Sequence, residues 1–319
     1  MKVIEHIQKA QRTLFSFELL PPLKGHNIEG IYQAIDPLLE FNPSFVNITY
    51  HQEEVVYKKH KSGLLEKKTV RKRPGTVAIS AAIKYKYPIL DVVPHLICGG
   101  FTKEDTEYAL IDFHFLGINN ILALRGDPPK TIHVFVPEKD GHAYANELVR
   151  QIINMNHGKY VDEEMENTTA TDFCVGVAGY PEKHIESPNL TSDLKYLKMK
   201  VDAGAEYIIT QMFFDNRRYF DFVKSCREAG ITVPIIPGLK PITTLRDLSI
   251  LPKVFFIDIP EDLVREVQKC TTNEQAFQVG IEWSIQQAKE LIAFGVPVLH
   301  YFTIGISENI RQIAKAVFS

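Results

Sequence analysis

Two carboxylates in this chain stand where proton transfer or charge stabilisation is commonly carried out. Glu18 lies in the segment Phe15–Pro22, and Asp127 closes the triplet Arg125-Gly126-Asp127. Each follows an apolar run of strand character and precedes two prolines, which prevent a regular continuation. The apolar neighbours of Glu18 favour its protonated form, whereas Arg125 favours an ionised Asp127. Such a pair fits an acid and an electrostatic stabiliser, but it does not name a reaction, and two-carboxylate glycoside hydrolysis would look similar.

The elements that must position these groups are eight short strand-like runs that alternate with amphipathic helical stretches. The runs are Leu14–Leu19, Phe45–Tyr50, Val92–Cys98, Asn120–Arg125, Cys174–Tyr180, Tyr207–Phe213, Val233–Gly238 and Leu299–Ile304. The helical stretches include Lys103–Leu116, Tyr144–Asn156, Leu190–Ala203, Asn216–Ala229 and Ala276–Ala293. The alternation predicts right-handed crossovers and a parallel sheet. Eight repeats predict an α/β fold, a (β/α)8 TIM barrel that spans residues 1–319 as a single domain.

Polar residues concentrate at the predicted C-terminal ends of the strands, which form one rim of such a barrel. They are Glu18, Thr49, Tyr50, His95, Arg125, Asp127, Tyr180, His184, Gln211, Lys240, His300, Tyr301 and Thr303. Each has an ordinary structural explanation when taken alone: a lone His95 is more often a core histidine, and Asp127 can cap the loop that follows it. Their convergence on one rim predicts an active site there.

Composition excludes several classes of protein. The 319 residues are 45% hydrophobic with a net charge of −3, which gives no general attraction to nucleic acid or to anionic membranes. The four cysteines form no CxxC pair, so neither a zinc site nor a disulfide framework is predicted. The N-terminus lacks a signal peptide, and no apolar stretch is long enough to span a bilayer. We expect a cytoplasmic protein without a metal.

One basic and one acidic segment stand out against this background. The segment Lys58–Arg73 carries eight Lys and Arg against a single Glu, and Asp162–Glu166 is acidic. Because the whole chain is acidic, we interpret the basic segment as a solvated loop or hairpin in an insert around residues 52–88, rather than as a polyanion contact. We interpret the acidic segment as a solvated loop. The role of the basic insert is left open.

Several segments, in order along the chain, resemble the methylenetetrahydrofolate reductase family of flavin-dependent barrel enzymes. They are Phe15–Pro22, Asn119–Pro129, Gly176–His184, Lys200–Ala205, Ile209–Asp215 and Ile235–Gly238. The resemblance implies a short, bacterial-type form that contains the catalytic barrel only. It also implies reduction of 5,10-methylenetetrahydrofolate to 5-methyltetrahydrofolate, which supplies methyl groups for methionine synthesis. NADH or NADPH would be the electron donor, and non-covalently bound FAD would be the cofactor.

The resemblance also assigns roles to individual residues. Glu18 matches the family's general acid, which helps to open the folate ring, and Asp127 matches an aspartate beside the flavin. Gln211 matches a glutamine that contacts nicotinamide and folate in turn, and Thr49 joins Glu18, Asp127 and Gln211 as a substrate contact. The implied FAD contacts are Tyr50, His95, Arg125, Gly126, Asp127, Tyr144, Ala145, Tyr180, His184, Asp193 and Lys200.

The chain departs from the family at two places. Small residues usually follow the Thr-Tyr pair, but here His51 and Gln52 do, which predicts a rebuilt loop near the flavin. A family arginine that would meet the folate is absent at Ile306, and Lys240 is a candidate substitute. These departures leave open the choice between NADH and NADPH. A homo-oligomer is expected, since the family often forms them.

Three alternatives compete with the folate reductase. The first is another flavin barrel oxidoreductase, similar to proline dehydrogenase, which the motifs around Glu18 and Gln211 disfavour. The second is a flavin-free barrel hydrolase that uses Glu18 and Asp127 on a glycoside. The third is a non-catalytic barrel that binds folate or a protein.

Overall fold

Parallel strands and helices alternate along the chain and arrange as a barrel, which confirms the predicted (β/α)8 fold. The computed structural model describes residues 1–128, 134–305 and 307–318. The strands are β1 (Leu14–Leu19), β2 (Phe45–Ile48), β3 (Glu54–Lys59), β4 (Leu65–Val70), β5 (Asp91–Ile97), β6 (Asn120–Leu124), β7 (Cys174–Gly179), β8 (Tyr207–Thr210), β9 (Ile235–Ile236), β10 (Gly238–Leu239) and β11 (Val298–Phe302).

The helices lie between these strands and at the two ends of the described chain. They are α1 (Val3–Lys9), α2 (Glu29–Ile35), a 3₁₀ helix (Asp36–Phe41), α3 (Thr76–Lys86), α4 (Lys103–Phe115), α5 (Ala145–Asn156), α6 (Leu190–Asp202), α7 (Asn216–Glu228), α8 (Asp247–Phe255), α9 (Glu261–Gln268), α10 (Asn273–Phe294) and α11 (Glu308–Phe318). Among the described residues, no helix is both long and apolar enough to cross a membrane.

The barrel strands pair in the order β10-β11-β1-β2-β5-β6-β7-β8-β9, and every pair is parallel. The strands β9 and β10 are two halves of one predicted strand, separated by Pro237. Proline has no N–H to donate to a ladder, so the pairing is interrupted there. Its carbonyl still accepts the N–H of His300 at 3.2 Å, which links this position to β11. The eight predicted strands therefore account for the nine segments of the barrel.

The sequence placed most of these boundaries within a few residues, and the differences have local causes. The helix α10 begins at Asn273, three residues earlier than predicted, because Thr272 and Gln275 form a capping box. The strand β2 ends at Ile48 and β8 at Thr210, because the chain turns into the rim loops there.

Helix α1 closes the end of the barrel opposite the rim. Val3 is fully buried among side chains from the strand interiors, including Phe45 and Tyr207. The N–H of Val3 donates to Oδ1 of Asn120 at 2.8 Å, and the Asn120 amide donates to the Met1 carbonyl at 3.0 Å. Hydrogen bonds to a strand residue therefore fix α1 as a plug.

Alternation along β1 decides which side chains reach the barrel interior. Phe15, Phe17 and Leu19 belong to the apolar layer between the strands and the outer helices. Ser16 and Glu18 point the other way because successive strand residues face opposite sides. Burial of each large apolar side chain contributes roughly 1.5–3 kcal/mol, which makes this orientation strongly preferred.

Glycine is required inside the barrel where Tyr207 packs against β7. A Cβ built on Gly176 would lie 2.2 Å from the Tyr207 ring, which no real contact allows. The tyrosine ring thus fills the space that the missing side chain leaves open.

The strands β3 and β4 form a separate antiparallel hairpin after β2. It corresponds to the basic segment, which the sequence predicted as a loop or hairpin. Residues 76–86 of the predicted insert instead form α3, the helix that connects β2 with β5. The acidic segment lies in the exposed connection between α5 and β7.

Candidate active site

Five side chains from four neighbouring strands form a polar group at the rim side of the barrel interior, here called the strand-borne cluster. Its members are Ser16, Glu18, Asn47, His95 and His300. The Glu18 Oε2 atom lies 3.3 Å from Nε2 of His95, and the Asn47 amide nitrogen lies 3.3 Å from the same ring nitrogen. Ser16 Oγ lies 2.8 Å from Nδ1 of His300. The side chain of Glu18 is 16% exposed and that of His95 is 6% exposed.

The backbone around Glu18 is held from both sides. The N–H and the hydroxyl of Thr303 both donate to the Glu18 carbonyl, at 3.2 and 2.7 Å. On the other side the N–H and the hydroxyl of Thr49 donate to the Leu19 carbonyl, at 3.1 and 3.3 Å. The carboxylate therefore projects from a fixed stretch of strand, as a group that transfers a proton must.

The Nε2 atom of His95 has either one lone pair or one N–H, so at one time it can pair with the Asn47 amide or with the Glu18 carboxyl group. Both neighbours hold the ring beside the Glu18 carboxyl group.

Burial keeps the second histidine of the cluster neutral. It lowers the pKa of His300 to about 4, although the nearby Glu18 opposes the shift. The Nε2 atom of His300 and the Oδ1 atom of Asn47 are buried and have no hydrogen-bond partner among the described residues. Two unpaired polar atoms in one barrel are costly unless a ligand or water meets them.

The rebuilt loop after β2 places His51 among the charged groups of the rim. Burial lowers the pKa of His51, and Arg73 adds to the shift, whereas Glu18 and Asp127 oppose it. The neighbouring Gln52 donates from its amide to the Asp127 carbonyl at 3.0 Å. This loop thus links the β1 side of the rim with the Arg125-Gly126-Asp127 loop.

A second group of side chains, here called the loop-borne cluster, lies in the loops after β6 and β7 and on α6, which follows the β7 loop. Its members are Arg125, Tyr180, His184, Glu186, Asp193 and Lys200. Arg125 donates both terminal nitrogens to the Glu186 carboxylate, at 2.5 and 2.8 Å. This bond raises the pKa of Arg125 and lowers that of Glu186. The guanidinium also lies over the ring of Phe135, 4.8 Å from its centroid.

Asp193 closes the loop that carries His184. One carboxylate oxygen accepts the His184 N–H at 3.2 Å, and the other accepts the Ser187 hydroxyl at 2.7 Å. The His184 ring packs edge to face on Tyr180, with 4.7 Å between centroids. Burial lowers the pKa of His184, and Arg125 adds to the effect. His184 is therefore positioned as a neutral hydrogen-bonding ring.

Lys200 reaches the rim from the last turns of α6. Its Nζ donates to the Ala178 carbonyl at 2.5 Å and lies 6.0 Å from the centroid of the Tyr180 ring. Burial lowers the pKa of Lys200 to about 8, and Asp193 opposes the shift. The lysine is still mostly protonated at neutral pH, so it supplies positive charge beside the β7 loop.

The backbone at three further predicted positions lies at the same rim. Gly126 has a φ of +88°, a conformation that favours glycine, and a Cβ there would lie 3.1 Å from the Ile97 side chain. Tyr144 and Ala145 stand at the start of α5, where the Glu147 carboxylate accepts the Tyr144 N–H at 3.1 Å. The Tyr144 side chain is 60% exposed and free to contact a ligand.

Gln211 lines a small, shallow depression together with Tyr180, Glu182 and Phe256. Burial raises the pKa of Glu182 to about 7, although its bond with the Asp258 N–H opposes the shift. Lys240, which directly follows β10, is buried and donates to the Pro241 carbonyl at 3.2 Å.

The structure brings most of the predicted residues to one rim but changes their partners. Arg125 pairs with Glu186, not with Asp127, and Asp127 is exposed. Ile306 lies outside the described residues. Sequence reasoning missed Asn47 and Glu186, and it placed His51 in a rebuilt loop without assigning it a role. The sequence could have identified Asn47, because it is a polar residue on an otherwise apolar strand. No sequence pattern marks Glu186.

A family model and curated relatives match nearly the whole chain. Residues 2–317 match the family model described as methylenetetrahydrofolate reductase. The chain is 31% identical over 323 residues to methylenetetrahydrofolate reductase (NADH) 1 of Arabidopsis thaliana, covering 97% of this chain and 49% of that protein. It is 29% identical to 5,10-methylenetetrahydrofolate reductase of Pectobacterium carotovorum subsp. carotovorum, covering 92% and 86%. The chain thus spans about half the length of its plant relative.

Solved structures of low sequence identity share the fold. One is an uncharacterized protein from Clostridium thermocellum that binds two copies of 5-methyl-5,6,7,8-tetrahydrofolic acid. It has a TM-score of 0.56 at 16% identity and covers 99% of this chain and 98% of its own. Another is 2,3-dimethylmalate lyase, with a TM-score of 0.51 at 8% identity, covering 98% and 82%. At these identities the likeness concerns the barrel alone.

Proposed function

This chain belongs to the methylenetetrahydrofolate reductase family, and from that premise we propose that it reduces 5,10-methylenetetrahydrofolate to 5-methyltetrahydrofolate with NADH or NADPH. The observation that carries the proposal is the contact of 3.3 Å between the side chains of Glu18 and His95. The strand that bears Glu18 is fixed by hydrogen bonds from Thr303 and Thr49 to its backbone carbonyls. Opening the folate ring needs an acid, and Glu18 holds a carboxyl group in a fixed position beside the His95 ring.

We propose non-covalently bound FAD as the cofactor, and the residues present fit it. Arg125 and Lys200 bring positive charge to loops that begin at neighbouring strands, which suits a diphosphate. The Tyr180 and His184 rings offer an aromatic surface, and Gly126 lets a ligand approach the backbone. The unpaired polar atoms of Asn47 and His300 are further donors and acceptors for a ring system. When bound, FAD supplies two-electron hydride transfer.

Individual side chains then have separate roles in the proposed reaction. Glu18 donates the proton to the folate, while His95 and Asn47 fix the orientation of its carboxyl group. Asp127 supplies negative charge near the reacting centre, within electrostatic range of His51 and Tyr180. The Gln211 amide remains available at the edge of the depression for whichever substrate is bound.

The setting of the enzyme is part of the same proposal. The product is a methyl donor, so we propose that it serves methionine synthesis. The four cysteines are free thiols, three of them buried, which suits the proposed cytoplasmic location. We also propose that the protein forms a homo-oligomer, as its family often does.

The visible spectrum of the purified protein tests the proposal. We expect a yellow protein that bleaches with NADH under anaerobic conditions and regains its colour when methylenetetrahydrofolate is added. If the colour returned when neither folate nor oxygen had been added, folate would not be the electron acceptor. A colourless protein that takes up no added FAD would contradict the redox function and favour the glycoside hydrolase.

A further inference from the structure

The basic hairpin, defined as residues 54–73, separates positive charge from the rest of the chain. It carries eight Lys and Arg against Glu54 and Glu66, a net charge of +6 with histidine neutral. The whole chain carries −3, so the remaining residues carry −9. Five exposed lysines of the hairpin form no ion pair with a carboxylate of the part of the chain that the structure describes, namely Lys58, Lys59, Lys61, Lys67 and Lys68.

One face of the basic hairpin is apolar as well as cationic. Tyr57 stands opposite Lys67, and Lys59 stands opposite Leu65, so these four side chains share one face. Tyr57 is 60% exposed, and Leu65 is 64% exposed. A two-stranded hairpin that covers no core gains little from its own burial, and exposed apolar side chains in one place mark an interaction surface.

The acidic segment Asp162–Glu166 has the opposite charge and a similar mixture of side chains. It carries four carboxylates and no basic residue, a net charge of −4. All five of its residues are exposed, including the apolar Met165. Within the described ranges of the chain, no Lys, Arg or His forms an ion pair with these carboxylates. Its charge is therefore as unpaired as that of the basic hairpin.

Hydrogen bonds hold the loop that presents the acidic segment. The Val161 N–H donates to the buried Glu107 carboxylate at 2.6 Å, which ties the loop to α4. The Tyr160 hydroxyl donates to the Thr169 carbonyl at 2.7 Å, and this bond closes the loop across its base. The carboxylates thus stand on a formed surface, so a partner that binds them pays little for ordering the loop.

The two charged segments lie at opposite ends of the barrel. The basic hairpin follows β2, and its Arg73 donates to the Pro21 carbonyl in the loop after β1, so it stands at the rim. The acidic segment follows α5 and precedes β7, so it lies at the end where the parallel strands begin. The two segments of one copy therefore cannot neutralise each other, but those of two copies can.

We propose that the basic hairpin of one copy docks on the acidic segment of a second copy. This inference names the interface of the proposed homo-oligomer and rests on that oligomer, but not on the proposed reaction. Contact between two hairpins would place +6 against +6, so charge favours a contact between two different surfaces. A nucleic acid or an anionic membrane would also meet the surrounding surface, whose charge of −9 repels it.

The first experiment measures self-association of the full chain by analytical ultracentrifugation. We expect an oligomer whose dissociation constant rises at least about tenfold between about 0.05 and 0.5 M salt, because salt screens the contact. A protein that stays monomeric under both conditions overturns the inference. So does a hairpin that binds a single-stranded oligonucleotide or phosphatidylserine vesicles more tightly than it binds a second copy.

The second experiment reverses the charge of each surface in turn. The hairpin variant is Lys59→Glu/Lys61→Glu/Lys67→Glu, and the acidic-segment variant is Glu163→Lys/Glu164→Lys/Glu166→Lys. Asp162 is kept because its carboxylate accepts the Glu164 N–H at 2.9 Å. We expect the dissociation constant of each variant alone to rise at least about 100-fold, since like charges then face each other.

An equimolar mixture of the two variants is the decisive sample. In the mixture each reversed surface meets a surface of opposite charge, so we expect association to return to within about tenfold of the wild type. The matched control Lys195→Glu/Lys224→Glu/Lys289→Glu changes exposed lysines on outer helices and should associate like the wild type. Association that survives either reversal, or that does not return in the mixture of folded variants, overturns the inference. Circular dichroism checks the folding.

A third experiment locates the contact with single cysteines. Lys67→Cys and Glu164→Cys are mixed under glutathione disulfide, which is reduced as the two thiols form a disulfide. We expect a linked pair that contains one chain of each variant, identified by peptide mass. Linkage of Lys67→Cys to itself would show that two hairpins meet and would overturn the inference, as would the absence of any linked pair. None of these measurements uses turnover, so their failure leaves the proposed reaction intact.

Discussion

The strand-borne cluster and the loop-borne cluster occupy neighbouring arcs of one rim but are built differently. In the strand-borne cluster, Glu18, Asn47 and His95 project from adjacent parallel strands, so ladder hydrogen bonds fix their spacing. In the loop-borne cluster, Arg125 and Glu186 follow different strands and are joined by their own ion pair. The first cluster is held by the backbone, and the second is held by its side chains.

This difference predicts that the two clusters have different roles. Proton transfer tolerates little misplacement, because both rate and direction depend on a hydrogen bond of fixed length. A diphosphate can be bound by charges that rearrange when it arrives, and Arg125 must turn at least partly away from Glu186 to meet one. We therefore expect mutations in the strand-borne cluster to affect chemistry and those in the loop-borne cluster to affect binding.

The variant Glu18→Gln should show the largest effect. Without the acid, we expect the rate of folate reduction to fall about 10²–10⁴-fold, while FAD binding and flavin reduction by NADH stay within about twofold. Stopped-flow absorbance separates the two half-reactions. Glu228→Gln, at an exposed position on α7, is the control. Retained folate reduction in Glu18→Gln would remove the assigned role and with it the contrast between the clusters.

The pH dependence of stability should differ between the clusters. His300 has an unfolded pKa near 6.5 and a folded pKa of about 4, so the unfolded chain binds the extra proton between these values. Its contribution to stability is present above about pH 6.5 and is lost as the pH falls toward 4, to the extent of about 3 kcal/mol. Glu186 has a lowered pKa, so its contribution is lost only at pH values below about 4.5.

Denaturant unfolding at several pH values measures this difference. Replacement His300→Asn should flatten the decline in unfolding free energy between pH 6.5 and 4, whereas His26→Asn, at an exposed position, should leave it unchanged. An identical slope in the wild type and in His300→Asn would show that His300 does not titrate as its burial requires.

Arg125→Ala should weaken FAD binding without affecting the acid. A charge-assisted hydrogen bond contributes about 1.5–3 kcal/mol, so we expect the dissociation constant to rise about 10–100-fold. Quenching of flavin fluorescence on titration of the apoprotein gives the constant. Saturating FAD should restore most of the folate reduction. A lasting loss of turnover at saturation would assign Arg125 to chemistry and blur the division between the clusters.

Glu186→Gln should have the smallest effect and the opposite sign. The amide oxygen can still accept from Arg125, but the competing negative charge is gone. We expect FAD to bind about threefold more tightly at low ionic strength, and the difference to disappear at about 0.5 M salt. Glu166→Gln, in the exposed acidic segment, controls for net charge. Weaker binding in Glu186→Gln would mean that the carboxylate orients Arg125 more than it competes with the ligand.

Much of the barrel could be predicted from local pattern, but contacts between distant loops could not. Runs such as Cys174–Tyr180 and helices such as Asn216–Ala229 have strong periodicity, and the structure places β7 and α7 within one residue of them. The plug formed by α1 was missed, because Val3–Lys9 is short and its apolar side is recognisable only against the barrel that it closes. The partner of Arg125 was missed for the same reason.

The sequence by itself determined the order of the strands, the side chains that face the barrel interior, and the family. These properties follow from alternation and from short motifs, which are local. Only the tertiary structure decided that Arg125 meets Glu186, 61 residues away, and that the basic segment leaves the rim as a hairpin tied to Pro21. A charged side chain on a loop pairs with an opposite charge that lies close to it, and the fold determines which charge that is.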